Sequence, residues 1–178
     1  IAIATVAAQA IENTRLYQTT LSTFKDTLGA IAAAIDAKDP SMRGHSQRVT
    51  EYVMLAANYL ALPAEEKEVL EYASLLHDIG KIGIDSQILT KPEPLSPAEQ
   101  EIIRKHPENG AALLSQIPFF NKAAELVLCH HERYDGQGYP RGLKGENIPP
   151  GARLIAVADA FDVMTSAHSY HAAMTVER

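Results

Sequence analysis

Residues 69–83 read VLEYASLLHDIGKIG, an apolar helical run that leads directly into a histidine, an aspartate and a glycine. The run predicts a buried helix that ends at Gly80, since glycine is a natural helix terminator. His77 and Asp78 therefore lie where the backbone leaves the core. Burying Asp78 without a partner would cost several kcal/mol, and a divalent cation would remove that cost. The alternative is a histidine interacting with the helix dipole beside a solvated aspartate.

Histidines elsewhere in the chain occupy similar places. Five of the seven lie at predicted helix ends or beside carboxylates: His45, His77, His106, His130 and His131. His130 and His131 lie at the end of a predicted helix. Two adjacent residues within a helix point about 100° apart, but these two imidazoles can converge because His131 has left the helical path. One buried and one exposed histidine is the ordinary alternative for this pair. The neighbouring Cys129 fits a small buried cysteine better than a ligand.

A second carboxylate is predicted to lie in the core near the end of the chain. Residues 154–161 read LIAVADAF, a helix that is apolar nearly all round and therefore buried. Asp159 within it needs a partner, either a metal ion or a buried lysine or arginine. Asp162 follows one turn later and can share the site or support it by hydrogen bonds.

These side chains indicate a particular metal chemistry. Imidazoles and carboxylates without a thiolate cluster suit iron, manganese or another divalent transition metal better than structural zinc. The two oxygens of Asp78 can bridge two cations, and two metals a few ångströms apart are typical of in-line displacement at phosphorus by a bridging hydroxide. Lys81, three residues after Asp78, can reach the phosphoryl oxygens as a charge stabiliser. A surface lysine after a helix end is the alternative.

The rest of the chain is predicted to be helical. Helices are expected at about 44–60, 63–80 and 96–104, around Pro107 and Pro118, over 123–130, and from Gly151 onward. The third of these opens with a capping box formed by Ser96 and Glu99. No strand alternation occurs, so the predicted fold class is an all-α helical bundle with one long surface loop, residues 132–150.

The first helix carries an apolar stripe with two interpretations. Alternating spacings of three and four relate Tyr17, Leu21, Phe24, Leu28, Ile31 and Ile35. Such a heptad seam predicts either a parallel coiled coil that makes a homodimer or a helix that packs the stripe on its own domain. Asp39 ends the helix in both cases, because the residue before a proline is biased away from the α region. The chain thus divides into a linker helix, residues 1–38, and a helical domain, residues 39–178.

Composition limits the possible classes of function. A length of 178 residues fits one domain with an appended element. The net charge of −6 argues against binding to nucleic acid polymers, whereas a small anionic substrate held by metals fits. The single cysteine excludes an internal disulfide framework. Neither a cleavable signal peptide nor an apolar membrane span of about 20 residues is present, so a cytoplasmic location is expected for what reads as a piece of a longer chain.

Two longer stretches resemble the signature motifs of a known family. Residues 77–83, HDIGKIG, and residues 130–140, HHERYDGQGYP, are similar to the signatures of the HD-GYP cyclic-dinucleotide phosphodiesterases. Residues 153–159, RLIAVAD, resemble the family's last metal-binding helix, and the resemblance extends from about Leu28 to Val176. More weakly, residues 4–17 resemble the exit helix of a GAF sensor domain. The similarity implies an HD-type helical bundle preceded by a signalling linker.

The resemblance implies a two-metal site with Asp78 as the shared bridge. The ligands would be His45, His77, Asp78 and Asp159 for one metal, and Asp78, His106, His130 and His131 for the other. Lys81 matches the family's phosphate-contacting lysine. The segment Gly138, Tyr139 and Pro140 matches the one beside its substrate groove. The implied reaction is hydrolysis of cyclic di-GMP to linear pGpG, with GMP as the product of further hydrolysis.

Three departures from the family pattern affect these expectations. Ser41 stands where some members carry a glutamate that completes a third metal site, so two metals are expected. Residues 166–171 read SAHSYH where the family commonly reads SDRPYR. His168 and His171 thus replace two arginines expected to bind substrate, and histidine lacks the planar fork of donors and, near neutral pH, most of the charge. The chain also ends before the helices that usually complete the family's domain.

Three functions are compatible with these residues. The intact ligand set and Lys81 favour an active cyclic-dinucleotide phosphodiesterase. The lost arginines and the heptad seam fit a module that binds a cyclic dinucleotide or a partner protein without turnover. The same metal chemistry also permits a phosphohydrolase of another nucleotide or phosphoester.

Overall fold

The computed structural model describes residues 2–166 as helices joined by turns. The α-helices are α1 (Ala2–Asp36), α2 (His45–Tyr59), α3 (Ala64–Leu75), α4 (Ser86–Leu89), α5 (Pro97–Arg104), α6 (His106–Leu114), α7 (Asn121–Cys129) and α8 (Pro150–Thr165). Short 3-10 turns lie at Pro40–Met42, Ile79–Gly83, Pro118–Phe120 and Gly145–Asn147. No β-strand occurs in residues 2–166, which confirms the predicted all-α class.

Local sequence signals set several helix boundaries. The predicted capping box opens α5: the Ser96 hydroxyl accepts the Glu99 N–H at 3.3 Å, and the Glu99 carboxylate accepts the Ser96 N–H at 2.7 Å. α1 ends at Asp36, shortly before the predicted end at Asp39. The Asp39 carboxylate instead accepts the Ser41 N–H and starts the next turn.

α3 ends earlier than the sequence predicts. The expected helix runs to Gly80, whereas α3 stops at Leu75 and Gly80 lies inside the turn Ile79–Gly83. The cause is local, because the His77 imidazole donates from Nδ1 to the Ser74 carbonyl at 2.7 Å. This side-chain bond occupies a carbonyl that would otherwise continue the helical ladder. His77 and Asp78 consequently lie in an irregular segment between α3 and the turn.

The core lies among six helices: α1, α2, α3, α6, α7 and α8. α2 packs against α3 and α8, and α7 packs against α3 and α6. Aliphatic side chains with at most 1% exposure fill the space between them: Val49, Val53, Val127 and Ile155. This packing brings the first residue of α2 close to the residues that follow α3 and α7. The predicted metal ligands lie at these helix ends.

The apolar stripe of α1 is divided between two environments. Its C-terminal half packs on the same chain: Leu28 and Ile35 are buried, and the Phe24 ring lies 6.0 Å from that of Tyr72. In the N-terminal half, by contrast, Tyr17 is 69% exposed. Intramolecular packing is therefore confirmed for the second half only, and the coiled coil remains a prediction for the first. Within residues 2–166, no helix is both long and apolar enough to span a lipid bilayer.

The prediction that the Asp159 segment is buried all round is wrong. Val157 is 70% exposed, whereas Ile155 and Asp162 on the same helix are fully buried. α8 packs on α2 and α7 with one side, so its other side faces solvent despite being apolar in sequence. The Asp159 side chain is 18% exposed and lies at the edge of the buried face.

Gly80 permits a close backbone crossing between the turn Ile79–Gly83 and α6. A Cβ at this position would collide with the His106 carbonyl oxygen and lie 2.6 Å from the Gly110 nitrogen. Backbone atoms in a packed helix cannot move aside cheaply. We expect Gly80→Ala to lower the free energy of unfolding by about 3 kcal/mol or more in urea denaturation followed by circular dichroism.

The matched control is Gly83→Ala in the same turn, where an added Cβ meets nothing within 4 Å. Its unfolding free energy is expected to change by less than about 1 kcal/mol. Equal effects of the two substitutions would show that the crossing at Gly80 is not the constraint.

Candidate metal centre

The structure brings the predicted ligands together in two neighbouring groups. The histidine–aspartate group is His45, His77 and Asp159, and the three-histidine group is His106, His130 and His131; in each, the potential ligand atoms lie within 4.8 Å of one another. The His77 and His130 rings are 5.2 Å apart between centroids, so the groups adjoin. The sequence places these residues up to 114 positions apart, and the fold gathers them at one end of the bundle.

Asp78 lies between the two groups. Its Oδ2 atom is 3.6 Å from Nε2 of His77, and its Oδ1 atom is 3.3 Å from Nε2 of His106. Each carboxylate oxygen therefore faces a different group. This is the orientation that a bridging carboxylate requires.

Four imidazoles are held in the same way, through Nδ1. The acceptors are Asp162 Oδ2 for His45 at 2.8 Å, the Ser74 carbonyl for His77 at 2.7 Å, the Ile103 carbonyl for His106 at 2.7 Å, and the Val127 carbonyl for His130 at 2.5 Å. Carbonyl and carboxylate oxygens only accept, so Nδ1 carries the hydrogen in each ring. In a neutral ring this leaves the lone pair on Nε2, the atom that faces the other ligands.

A local rule explains three of these contacts. His77, His106 and His130 each bond to the carbonyl three residues earlier, at the end of α3, α5 and α7 respectively. The last carbonyls of a helix have no helical donor, so a histidine placed just beyond can satisfy one of them. A histidine just beyond a predicted helix end is therefore a sequence signal for a ring that donates from Nδ1 to the helix and directs Nε2 away from it.

Burial keeps the three-histidine group neutral. It lowers the pKa of His106 to about 4 and that of His131 to about 4, and it lowers the pKa of His130 well below its usual value. Burial alone would raise the pKa of Asp78, but the Lys81 ammonium and then the surrounding histidines lower it well below the usual range. Near neutral pH the three-histidine group therefore presents free imidazole lone pairs beside the ionised Asp78 carboxylate.

These residues fit divalent metal ions. Nε2 of His106 and Nε2 of His130 are 3.2 Å apart and buried, and neither carries a hydrogen when Nδ1 does. Two facing lone pairs repel each other in a low-dielectric interior, and a shared cation removes the repulsion. Around His45, burial opposes the charged ring, but bonds to Asp159 and Asp162 raise its pKa. This group also attracts positive charge.

Asp162 and Arg48 support His45 from behind. Asp162 is fully buried and accepts from Arg48 at Nε, 2.6 Å, and at Nη2, 2.9 Å, while its Oδ2 also accepts from His45. The predicted supporting role of Asp162 fits this geometry. Sequence reasoning missed Arg48, although its position one turn after His45 on α2 was an available signal.

Lys81 and a second lysine join the centre to α1. Lys81 Nζ lies 2.6 Å from Asp78 Oδ2, beside the candidate bridge. Lys38, just after α1, donates to the carbonyls of Lys81, Ile82 and Ile84 at 3.0, 2.8 and 2.5 Å. An ammonium that satisfies three carbonyls holds the turn carrying Lys81 against the end of α1. Nothing in the sequence motif indicated this role for Lys38.

Tyr139, the middle residue of the segment Gly138–Pro140, lines a groove beside the centre. The Tyr139 ring stacks on that of His131 at 4.9 Å and 28°. A Cβ at Gly138 would collide with the backbone of residues 132–133. Buried Glu132 holds the following loop by accepting the N–H groups of Arg141 at 2.7 Å and Leu143 at 2.9 Å. Glu132 belongs to the motif of residues 130–140, but the sequence alone does not indicate that it anchors this loop.

The groove has a volume of about 480 Å³ and is open to solvent. His130, His131 and Asp159 lie along it together with Arg104 and Tyr139. A larger apolar cavity of about 660 Å³ between α3, α7 and α8 contains none of the predicted ligands. The predicted substrate residues His168 and His171 lie outside the described residues.

Comparison with known proteins identifies the family of this chain. The family model described as HD domain matches residues 30–178. The chain belongs to the HD-domain family. The cyclic di-GMP phosphodiesterase response regulator RpfG of Xanthomonas campestris is 43% identical over 155 residues, which cover 86% of this chain and 41% of the relative. The 3'3'-cGAMP-specific phosphodiesterase 3 of Vibrio cholerae is 39% identical, covering 84% of this chain and 32% of the relative.

Solved structures show the same HD-type fold. The HDG"Y"P protein Bd1817 of Bdellovibrio bacteriovorus matches 72% of this chain and 42% of its own with a TM-score of 0.61 and 25% identity. The V-cGAP3 phosphodiesterase of V. cholerae matches 78% of this chain and 40% of its own with a TM-score of 0.62 and 21% identity. The resemblance to HD-GYP proteins is confirmed. This HD domain spans less than half the length of the relatives it matches.

The support of His45 can be tested through metal affinity. Asp162→Ala removes the acceptor that orients His45, and loss of such a contact typically weakens metal binding about 10- to 100-fold. We expect that reduction in manganese or iron bound at limiting free metal, measured by atomic emission after equilibrium dialysis. Glu65→Ala is the control, since Glu65 is an exposed acid paired with Lys122. Equal metal retention by wild type and Asp162→Ala would contradict the supporting role.

Proposed function

We propose that this chain is a metal-dependent phosphodiesterase that hydrolyses cyclic di-GMP to linear pGpG. The observation that carries the proposal is the position of Asp78, with one oxygen toward each ligand group and Lys81 2.6 Å from Oδ2. A buried carboxylate placed between two sets of convergent imidazoles fits a dimetal phosphohydrolase better than a stabilising ion pair.

We assign one metal ion to each of the two ligand groups. His45, His77 and Asp159 would hold one ion, the three-histidine group would hold the other, and Asp78 would serve both. Iron or manganese suits this donor set of imidazoles and carboxylates. Such ions would supply Lewis-acid charge at the scissile phosphate and activate water for in-line attack.

The chain's own residues would position the substrate and stabilise charge. Hydrolysis joins a water oxygen to phosphorus and breaks the bond to the 3′-oxygen, which leaves with a proton. Lys81 is 21% exposed, so its ammonium can contact the phosphoryl oxygens on which negative charge develops. The stacked rings of Tyr139 and His131 form a flat wall on which a nucleobase can pack.

The relatives support a cyclic dinucleotide as the substrate class. Several are named cyclic di-GMP phosphodiesterases and others 3'3'-cGAMP-specific phosphodiesterases. Cyclic di-GMP is proposed because the 43% identical relative carries that name. Cyclic GMP-AMP is the second candidate, on the strength of the 39% identical relative. A panel of both substrates with initial rates distinguishes them.

The proposed bridging role of Asp78 is tested by replacing this residue with alanine. Asp78→Ala should abolish hydrolysis and lower the bound metal together, because both groups lose a shared anionic ligand. Product formation from cyclic di-GMP is measured by chromatography on anaerobically prepared protein loaded with iron or manganese. Asp26→Ala, an exposed acid on α1, serves as the charge-matched control and should retain activity.

Two outcomes would overturn parts of this assignment. An Asp78→Ala protein that remains active with two metals bound would refute the bridge. Wild-type protein that is fully metal-loaded and binds cyclic di-GMP without product would replace the enzyme with a binding module.

We further propose that α1 is a linker from a sensor domain and joins two copies through its N-terminal half. Ile3 is 87% and Tyr17 69% exposed on a helix whose later turns pack on the domain. Burying such side chains in a two-helix seam would be favourable. The linker role and the GAF resemblance are proposals on the same helix.

Tyr17→Glu should shift the protein from dimer to monomer, because a charge in the seam would lose its hydration. The masses are measured by light scattering after size-exclusion chromatography. Gln18→Glu adds the same charge beside the seam and should leave the dimer intact. A wild type that is monomeric at high concentration would contradict dimerisation through α1.

A further inference from the structure

The groove beside the metal centre offers few cations for an anionic substrate. Of the cations along the groove, Arg133 forms a close pair with Asp135 at 2.6 Å. Lys81 lies outside the groove lining and is paired with Asp78. The whole chain carries a net charge of −6. A cyclic dinucleotide has two phosphates, of which only one can lie at the reacting position at a time. The second phosphate needs its own positive partner on the groove wall.

Arg104 has the placement that this partner requires. It is the last residue of α5, it is exposed, and it lies along the groove with Tyr139 and His131. Its guanidinium carbon is 5.5 Å from the centroid of the Tyr139 ring. Tyr139 stacks in turn on His131. A continuous stack thus leads from the three-histidine group to Arg104.

The contact with Tyr139 leaves the donors of Arg104 available. An arginine above an aromatic ring interacts through its flat face, so the N–H groups at its edge can still bind an anion. Among residues 2–166, no carboxylate forms an ion pair with Arg104. The fork of a guanidinium matches two oxygens of a phosphate. Arg104 therefore differs from Lys81 and Arg133, which have acidic partners.

We propose that Arg104 binds the phosphate of the cyclic dinucleotide that is not being cleaved. This residue then sets a preference for substrates with two phosphates over simple phosphodiesters with one. The inference rests on the proposed function, because it assumes that the groove receives a cyclic dinucleotide. It adds a specificity contact on α5, outside the ligand set and outside the segment Gly138–Pro140.

The test compares a two-phosphate and a one-phosphate substrate. For Arg104→Ala we expect KM for cyclic di-GMP to rise about 10- to 100-fold while kcat stays within about threefold of the wild type. This is the result of losing one charge-assisted contact that is equally strong in the ground state and the transition state. Hydrolysis of bis(p-nitrophenyl) phosphate, which has one phosphate, should be unchanged. Arg104→Lys should recover part of the affinity, since it keeps the charge but not the fork.

Lys105→Ala is the matched control. Lys105 is the adjacent exposed cation and does not line the groove, so its removal changes the net charge equally without changing KM. Bound metal is measured in every variant. An unchanged KM in Arg104→Ala would overturn the proposal. Equal losses on both substrates would also overturn it, because Arg104 would then act by holding Tyr139 against His131.

Failure of the proposed function is distinguished by binding. Wild-type and Arg104→Ala proteins are titrated with a fluorescent phosphorothioate analogue of cyclic di-GMP, which is hydrolysed slowly. A wild type that binds the analogue but forms no product from cyclic di-GMP would overturn the phosphodiesterase, yet a weakened Kd in Arg104→Ala would still support the phosphate contact. No binding by the wild type would overturn both.

Discussion

Buried imidazole nitrogens that face one another are the constraint on which the rest of this structure depends. Nε2 of His106 lies 3.2 Å from Nε2 of His130, and Nε2 of His45 lies 3.2 Å from Nε2 of His77. Such a cluster persists only if each ring is held from behind and a positive charge can be shared in front. Helix ends provide the first condition through free carbonyls, and the donor set satisfies the second for a divalent cation. The packing of α2, α3, α6 and α7 must consequently bring the histidine-bearing ends of these helices together.

The same constraint explains features that look unrelated along the chain. Gly80 lets the turn after Asp78 approach α6 closely enough for Asp78 to face His106. Arg48 neutralises Asp162, so that this buried carboxylate can orient His45 without remaining unpaired. Lys38 ties the same turn to the end of α1. Movement of α1 would therefore reach the residues around Asp78 through a direct contact.

In the proposed function, the groove would add selectivity to a centre whose chemistry is general. Convergent imidazoles and carboxylates with metals can act on many phosphoesters. If the proposed function holds, the flat wall formed by Tyr139 and His131, and Arg104 above it, would favour a planar base and a second phosphate. Glu132 keeps that wall in place through two backbone N–H groups. Substrate choice would thus depend on loop and helix-end residues that do not touch the metals.

By itself the sequence determined the residue types of the centre, the all-α class and that His77, His106 and His130 lie near helix ends, although not where α3 stops. These features are local, since capping boxes, apolar periodicity and side-chain bonds to carbonyls three residues away depend on neighbouring residues. Only the tertiary structure decided which histidines share a group, that Asp78 directs one oxygen to each, and that Arg48 pairs with Asp162. It also decided that half of the α1 stripe packs on the domain and that Val157 faces solvent. Periodicity shows that a face is apolar, whereas the neighbour that covers it is set by the packing of helices distant in the chain.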